Sequence, residues 1–123
     1  MTPKKRILFV DDDPCVLAGL RNVFYRERTR WELVFANGGE QALAELGRGR
    51  FDVVVTDMRM PGIDGLALLE QVRAVSPSTR CVMLSGSAHQ DEVNRAAAVV
   101  DELLGKPCDT STLRSTLERM LQP

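Results

Sequence analysis

Three times along the chain a short, unbroken apolar run ends in polar residues: Ile7-Leu8-Phe9-Val10 before Asp11-Asp12-Asp13, Val53-Val54-Val55 before Thr56-Asp57, and Cys81-Val82-Met83-Leu84 before Ser85-Gly86. Continuous apolar runs of this length suit strands covered on both faces, the condition of a parallel sheet. Strands are therefore expected near residues 7–10, 51–56 and 81–84. A weaker candidate covers 31–36, where Trp31, Leu33 and Phe35 alternate against Glu32 but Val34 is apolar too. Leu103-Leu104 marks a fifth, shorter strand.

Helical periods separate these runs. Asp13 can cap a helix with Pro14 at its first position, placing Val16, Leu17, Leu20, Val23 and Phe24 on one face. A second helix follows Asn37-Gly38-Gly39, buries Ala42, Leu43 and Leu46, and is expected to stop at Gly47. A third starts after Asp64-Gly65 with Leu68, Leu69, Val72 and Val75 inward. A fourth is expected from about residue 88 to 99, with Ser87 and Gln90 forming a capping box. The fifth begins near Asp109 and groups Leu113, Leu117, Met120 and Leu121. Five strands alternating with five helices predict an α/β fold with a doubly wound parallel sheet and right-handed crossovers.

The 123 residues fit a single domain, 1–123, with no output domain in this chain. A core of that size needs no disulfide or structural metal. Sixteen basic and 17 acidic residues give a net charge of −1, which leaves no footprint for direct nucleic-acid binding or for an anionic membrane. Lys4-Lys5-Arg6 reads as a solvated strand start. No apolar run approaches the ~20 residues of a membrane span, and no signal-peptide core is visible, so a cytoplasmic location is expected. Cys15, Cys81 and Cys108 form no Cys-x-x-Cys pair and fit a reducing compartment with structural roles.

In a doubly wound sheet, functional residues gather at the carboxyl ends of the strands. Those ends carry Asp11-Asp12-Asp13, Thr56-Asp57, Leu84-Ser85-Gly86 and Gly105-Lys106-Pro107. With Asp13 used as a cap, Asp11, Asp12 and Asp57 are left to converge. Three carboxylates held together repel one another, and a hard divalent cation with oxygen ligands relieves this, magnesium above all. Asp57 is then a candidate nucleophile for a phosphoryl group, Lys106 a fixed cation, and Ser85 a hydrogen-bond donor to a phosphoryl oxygen.

On the stretches 7–14, Asp57-Met-Arg-Met-Pro-Gly-Ile-Asp-Gly at 57–65, 84–86 and Lys106-Pro107, the chain resembles the CheY-like receiver domains of two-component response regulators over essentially its whole length. The resemblance implies a flavodoxin-like sheet in the order 2-1-3-4-5 and phosphorylation on Asp57. It implies that Asp12 binds Mg2+ (or Mn2+) directly, Asp11 mainly through water, and that Asp57 and the main-chain carbonyl of Arg59 complete the protein ligands. Ser85 and Lys106 would contact the phosphoryl group, and the Lys106–Pro107 bond would be cis. The implied partners are a sensor histidine kinase or phosphotransfer protein and a fused or separate output domain. A phosphorylation-dependent homodimer belongs to the same set.

One position departs from the family pattern. Where many members carry Phe or Tyr three residues before the lysine, this chain has Leu103, so a rotating aromatic ring cannot be the switch. The stretch 96–102 also lacks the Gly-Ala turn usual before strand five, which predicts an atypical surface at helix four and strand five. His89, the only histidine, is expected to be solvent-exposed, and Arg59 could modulate access to the pocket mouth.

Three other functions are weighed beside this one. A receiver-like module acting without phosphorylation normally lacks an acid, the acceptor or the lysine, and all are present here. A Mg-dependent aspartyl-phosphate phosphohydrolase would match Asp11-Asp12-Asp13 but not Cys15. A flavodoxin-like cofactor protein would need a phosphate loop after strand one that is absent. The domain is therefore expected not to be an enzyme beyond its own phosphorylation and slow dephosphorylation.

Overall fold

The computed structural model describes residues 3–86 and 90–122. Its elements run β1 (Lys5–Asp11), α1 (Pro14–Val23), a short 3-10 helix (Tyr25–Thr29), β2 (Trp31–Asn37), α2 (Gly39–Arg48), β3 (Val53–Asp57), α3 (Gly65–Val75), β4 (Arg80–Ser85), α4 (Gln90–Ala96), β5 (Glu102–Gly105) and α5 (Thr110–Met120). The five strands form one all-parallel sheet in the order β2-β1-β3-β4-β5. This is the doubly wound architecture that the apolar runs predict.

The two-residue period of the strands sorts their side chains into two cores. Ile7, Phe9, Val53, Val55, Val82 and Leu84 meet Leu17 of α1 and Leu113 and Leu117 of α5. Leu8, Val10, Val54, Cys81 and Met83 face the other way, against Ala42 of α2, Leu68, Leu69 and Val72 of α3, and Ala96 of α4. Every one of these side chains is buried, which is why the central strands tolerate no polar alternation. Burial also pushes the Cys81 thiol up to about 11, leaving it a structural hydrophobe. No helix among the described residues is long and apolar enough to cross a membrane.

Aspartates open three of the helices. Asp13 accepts from the Cys15 N–H at 2.9 Å with Pro14 at the first helical position, Asp64 from the Ala67 N–H at 2.8 Å, and Asp109 from the Ser111 N–H at 3.3 Å.

Several element ends differ from the sequence expectation. Helix α2 runs through Gly47 to Arg48: one glycine in a last turn weakens a helix by only about 1 kcal/mol and need not stop it. Val75 is 78% exposed rather than inward, because it occupies the terminal turn of α3 with Ser76 as the cap. Val16 is likewise exposed, and Phe24 is buried just past the end of α1. Helix α4 ends at Ala96 instead of 99. There the N–H groups of Val99 and Val100 both bond the Ala96 carbonyl, at 3.0 and 2.8 Å, in a tight turn that brings both valines against the core. The expected start near residue 88, with Ser87 and His89, falls outside the described residues. Strand β3 begins at Val53, although Phe51 before it is fully buried, and the 3-10 helix has no clear sequence signal.

Candidate functional site

Strand register brings the polar strand ends together. Val10 is level with Thr56, so Asp11 and Asp57 emerge side by side; Asp57 pairs with Leu84, and Ser85 with Gly105, one residue before Lys106. Carboxylate oxygens of Asp11, Asp12 and Asp57 all lie within 4.8 Å of one another. The Lys106 ammonium stands 3.0 Å from Asp57 Oδ1 and 3.9 Å from Asp11 Oδ2. The Lys106–Pro107 peptide bond is cis.

Burial differs sharply among the three acids. Asp11 is 3% exposed, and its Oδ1 accepts the Asp13 N–H at 2.9 Å; Asp57 is partly buried and Asp12 is exposed. Burial is the largest influence on Asp11 and raises its pKa. The Asp13 N–H and the Lys106 ammonium pull it down, Asp57 and Asp12 push it up, and the net displacement is above the ordinary 3.8. A crowded set of acceptor-only oxygens, with the buried Asp11 among them and the Lys106 ammonium beside them, fits a hard divalent cation.

The raised pKa has a thermodynamic sign. Folded protein holds the Asp11 proton to higher pH than the unfolded chain, so this group's stability contribution is lost as pH rises from about its unfolded value through its folded one. An Asp11→Asn variant should therefore have a higher melting temperature than the parent at neutral pH without metal, the gain vanishing below the ordinary carboxylate pKa. Thermal unfolding across pH in a chelator checks this; identical profiles for the two proteins would contradict it.

The loop after β3 is drawn tightly over the site. The Met58 N–H bonds the Leu84 carbonyl at 3.0 Å, and the Gly65 N–H bonds the Met58 carbonyl at 2.9 Å. A Cβ at Gly65 would collide with the carbonyl oxygen of Asp57, so only glycine lets α3 begin this close to the acid. Gly62 supplies a positive φ of 78° inside the same loop. Arg59 is exposed and helps line a pocket of about 400 Å³ with Met58, Met60, Pro61, Asp64 and Leu66.

Ser85 is buried, and its hydroxyl lies 3.7 Å from the Met58 thioether sulfur, a weak acceptor. Sequence reasoning missed Met58 and the close approach of Gly65. The signal available was the Met58-Arg59-Met60 alternation, in which two apolar side chains turn inward from a loop and Arg59 turns out. Leu103 lies on the edge strand β5 at 37% exposure.

Residues 7–118 match the family model for the response regulator receiver domain. The chain belongs to that family. A curated relative, the transcriptional activator protein PfeR of Pseudomonas aeruginosa, is 32% identical over 120 residues, covering 98% of this chain and 39% of that protein. The receiver spans less than half the length of the curated relatives it matches. Among solved structures, the signal receiver domain of an HD domain-containing protein from Pseudomonas fluorescens Pf-5 superimposes with a TM-score of 0.89 at 27% identity, covering 97% of this chain and 95% of that one. The response regulator TrrA from Thermotoga maritima, in complex with Mg2+-BeF, gives a TM-score of 0.81 at 29% identity, covering 95% and 99%. The five-stranded receiver fold and its acidic strand-end cluster are thus common ground between the sequence, the geometry and the family.

Proposed function

We propose that Asp57 accepts a phosphoryl group from a phosphohistidine of a sensor kinase or phosphotransfer protein, in a magnesium-dependent (or manganese-dependent) reaction. The observation that carries this reading is one constellation: Asp57 Oδ1 lies 3.0 Å from the Lys106 ammonium, with the Asp11 and Asp12 carboxylates within 4.8 Å. Asp11, Asp12, Asp57 and the main-chain carbonyl of Arg59 would hold the metal, which when bound neutralises the acids and the incoming phosphoryl oxygens. Asp11 Oδ1 is already committed to the Asp13 N–H, in keeping with a water-mediated part in that ligand set.

Asp57 then supplies the oxygen that bonds to phosphorus as the P–N bond to the donor imidazole breaks, the imidazole nitrogen keeping the electron pair. Lys106 stabilises charge on one phosphoryl oxygen. Ser85 donates to another; its bond to the Met58 sulfur is weak and is readily exchanged for a charged acceptor. Movement of Ser85 away from Met58 is the first step of the conformational signal, which has no aromatic ring at Leu103 to follow it. Apart from its own phosphorylation and slow dephosphorylation the domain turns nothing over. It acts in the cytoplasm through an output domain, fused or separate, or through phosphorylation-dependent dimerisation. The likeness to a receiver of an HD domain-containing protein supports an output of that class.

Incubation with acetyl phosphate and magnesium, followed by intact mass, tests the reading. One added phosphoryl group is expected for the parent and none for Asp57→Asn or for the parent in chelator. No labelling of the parent under any condition would favour a receiver-like module that works without phosphorylation. Arg59→Ala is expected to change the rate of phosphoryl loss, since Arg59 stands at the pocket beside the acceptor; equal decay in the two proteins would remove it from that role.

A further inference from the structure

A second concave surface lies at the far side of the sheet from β5, along the outer strand β2. This groove of about 670 Å³ is lined by Trp31, Glu32, Leu33, Val34 and Phe35, five consecutive residues of that strand. Consecutive strand residues point to opposite faces, so a groove touching all five runs along the open edge of the sheet. Among the described residues no other strand pairs with that side of β2, and its backbone groups are a template for an added strand.

The groove is basic in a chain whose net charge is −1. Lys4, Arg21 and Arg28 line it, and its single acid, Glu32, is already paired with Arg6. The Arg28 guanidinium lies 3.9 Å from the centre of the Tyr25 ring, and that of Arg21 lies 4.7 Å from the centre of Phe35. Neither guanidinium donates a hydrogen bond to a described residue, in contrast to Arg30, which stacks on Trp31 but is bonded to Glu27 and Glu118. A guanidinium held over a ring by cation–π attraction still has N–H groups to offer a carboxylate.

We propose that the β2 edge is a docking site for an extended acidic segment of a partner polypeptide, added to the sheet as a further strand with its carboxylates on Arg21 and Arg28. Main-chain pairing supplies attachment, and the stacked arginines select the charge. The surface is separate from the Asp57 site and does not depend on the function assigned there.

The test uses 15N-labelled full chain and a ten-residue peptide alternating glutamate with valine. Saturable binding is expected, with amide shift changes centred on residues 31–35, and R21E/R28E should weaken it at least about tenfold. That variant should still take up phosphoryl groups on Asp57 at the parental rate. If R21E/R28E loses its fold, R21Q/R28Q carries the same comparison. A peptide with lysine for glutamate, and one with proline for the valines, should each fail to bind. The proposal is overturned by absence of binding, by equal binding of the charge-reversed protein or the proline peptide, by shifts centred elsewhere, or by tighter binding of a single-stranded oligonucleotide.

Discussion

A Lys106→Met variant should take up phosphoryl groups from acetyl phosphate roughly 100-fold more slowly than the parent. Methionine keeps an unbranched side chain of similar bulk while removing the ammonium, its charge and its N–H donors together. In the parent that charge stands 3.0 Å from Asp57 Oδ1, where the entering phosphoryl group gathers negative charge. Preorganised cations at such positions typically contribute about 10²–10³ in rate, and Lys106 belongs at the lower end because its side chain is 32% exposed and partly screened. A time course of intact mass at saturating magnesium measures the effect. A rate within about threefold of the parent would mean that the ammonium is structural and does not act on the transferring group.

Gly65→Ala is expected to lower stability by about 1–3 kcal/mol, an overpacking penalty set by backbone rather than by a yielding side chain. The added Cβ would meet the Asp57 carbonyl oxygen, with the Asp57 carbonyl carbon at 2.9 Å and the Met58 Cα at 3.0 Å. None of these can rotate aside, so either α3 shifts or Asp57 is displaced from Lys106. Chemical denaturation reads the first outcome, and slower labelling of the folded fraction reads the second. Gly62→Ala is the matched control: its φ is positive but nothing lies within 4 Å, so strain alone should appear, with labelling preserved. Equal effects of the two substitutions would remove the case for a close approach at Gly65.

How much was visible beforehand follows from which interactions are local. Strands β1, β3 and β4 were legible because burial on both faces forces unbroken apolar runs such as Val53-Val54-Val55. The convergence of Asp11, Asp57, Ser85 and Lys106 was legible because parallel strands bring their carboxyl ends to one edge. Helix ends were less so. Val75 looks inward by period yet lies on a terminal turn, and the double acceptance by the Ala96 carbonyl that closes α4 has no signature in residue type. The contact of Ser85 with Met58, the clearance at Gly65 and the basic β2 edge depend on register between distant segments. Lys4 is remote in sequence from Arg21 and Arg28, and the three line one groove only once β2 takes the outer place in the sheet.

The claim that Asp57 is the acceptor is tested most directly by locating the added group. Protein treated with acetyl phosphate and magnesium, then reduced with borohydride, which converts an aspartyl phosphate to homoserine with release of phosphate, can be digested and sequenced by tandem mass spectrometry. The account predicts that the modified residue is Asp57 and that the modification is lost when metal is withheld. Modification at Asp11, Asp12 or any other carboxylate, or labelling at Asp57 that persists in chelator, would contradict it.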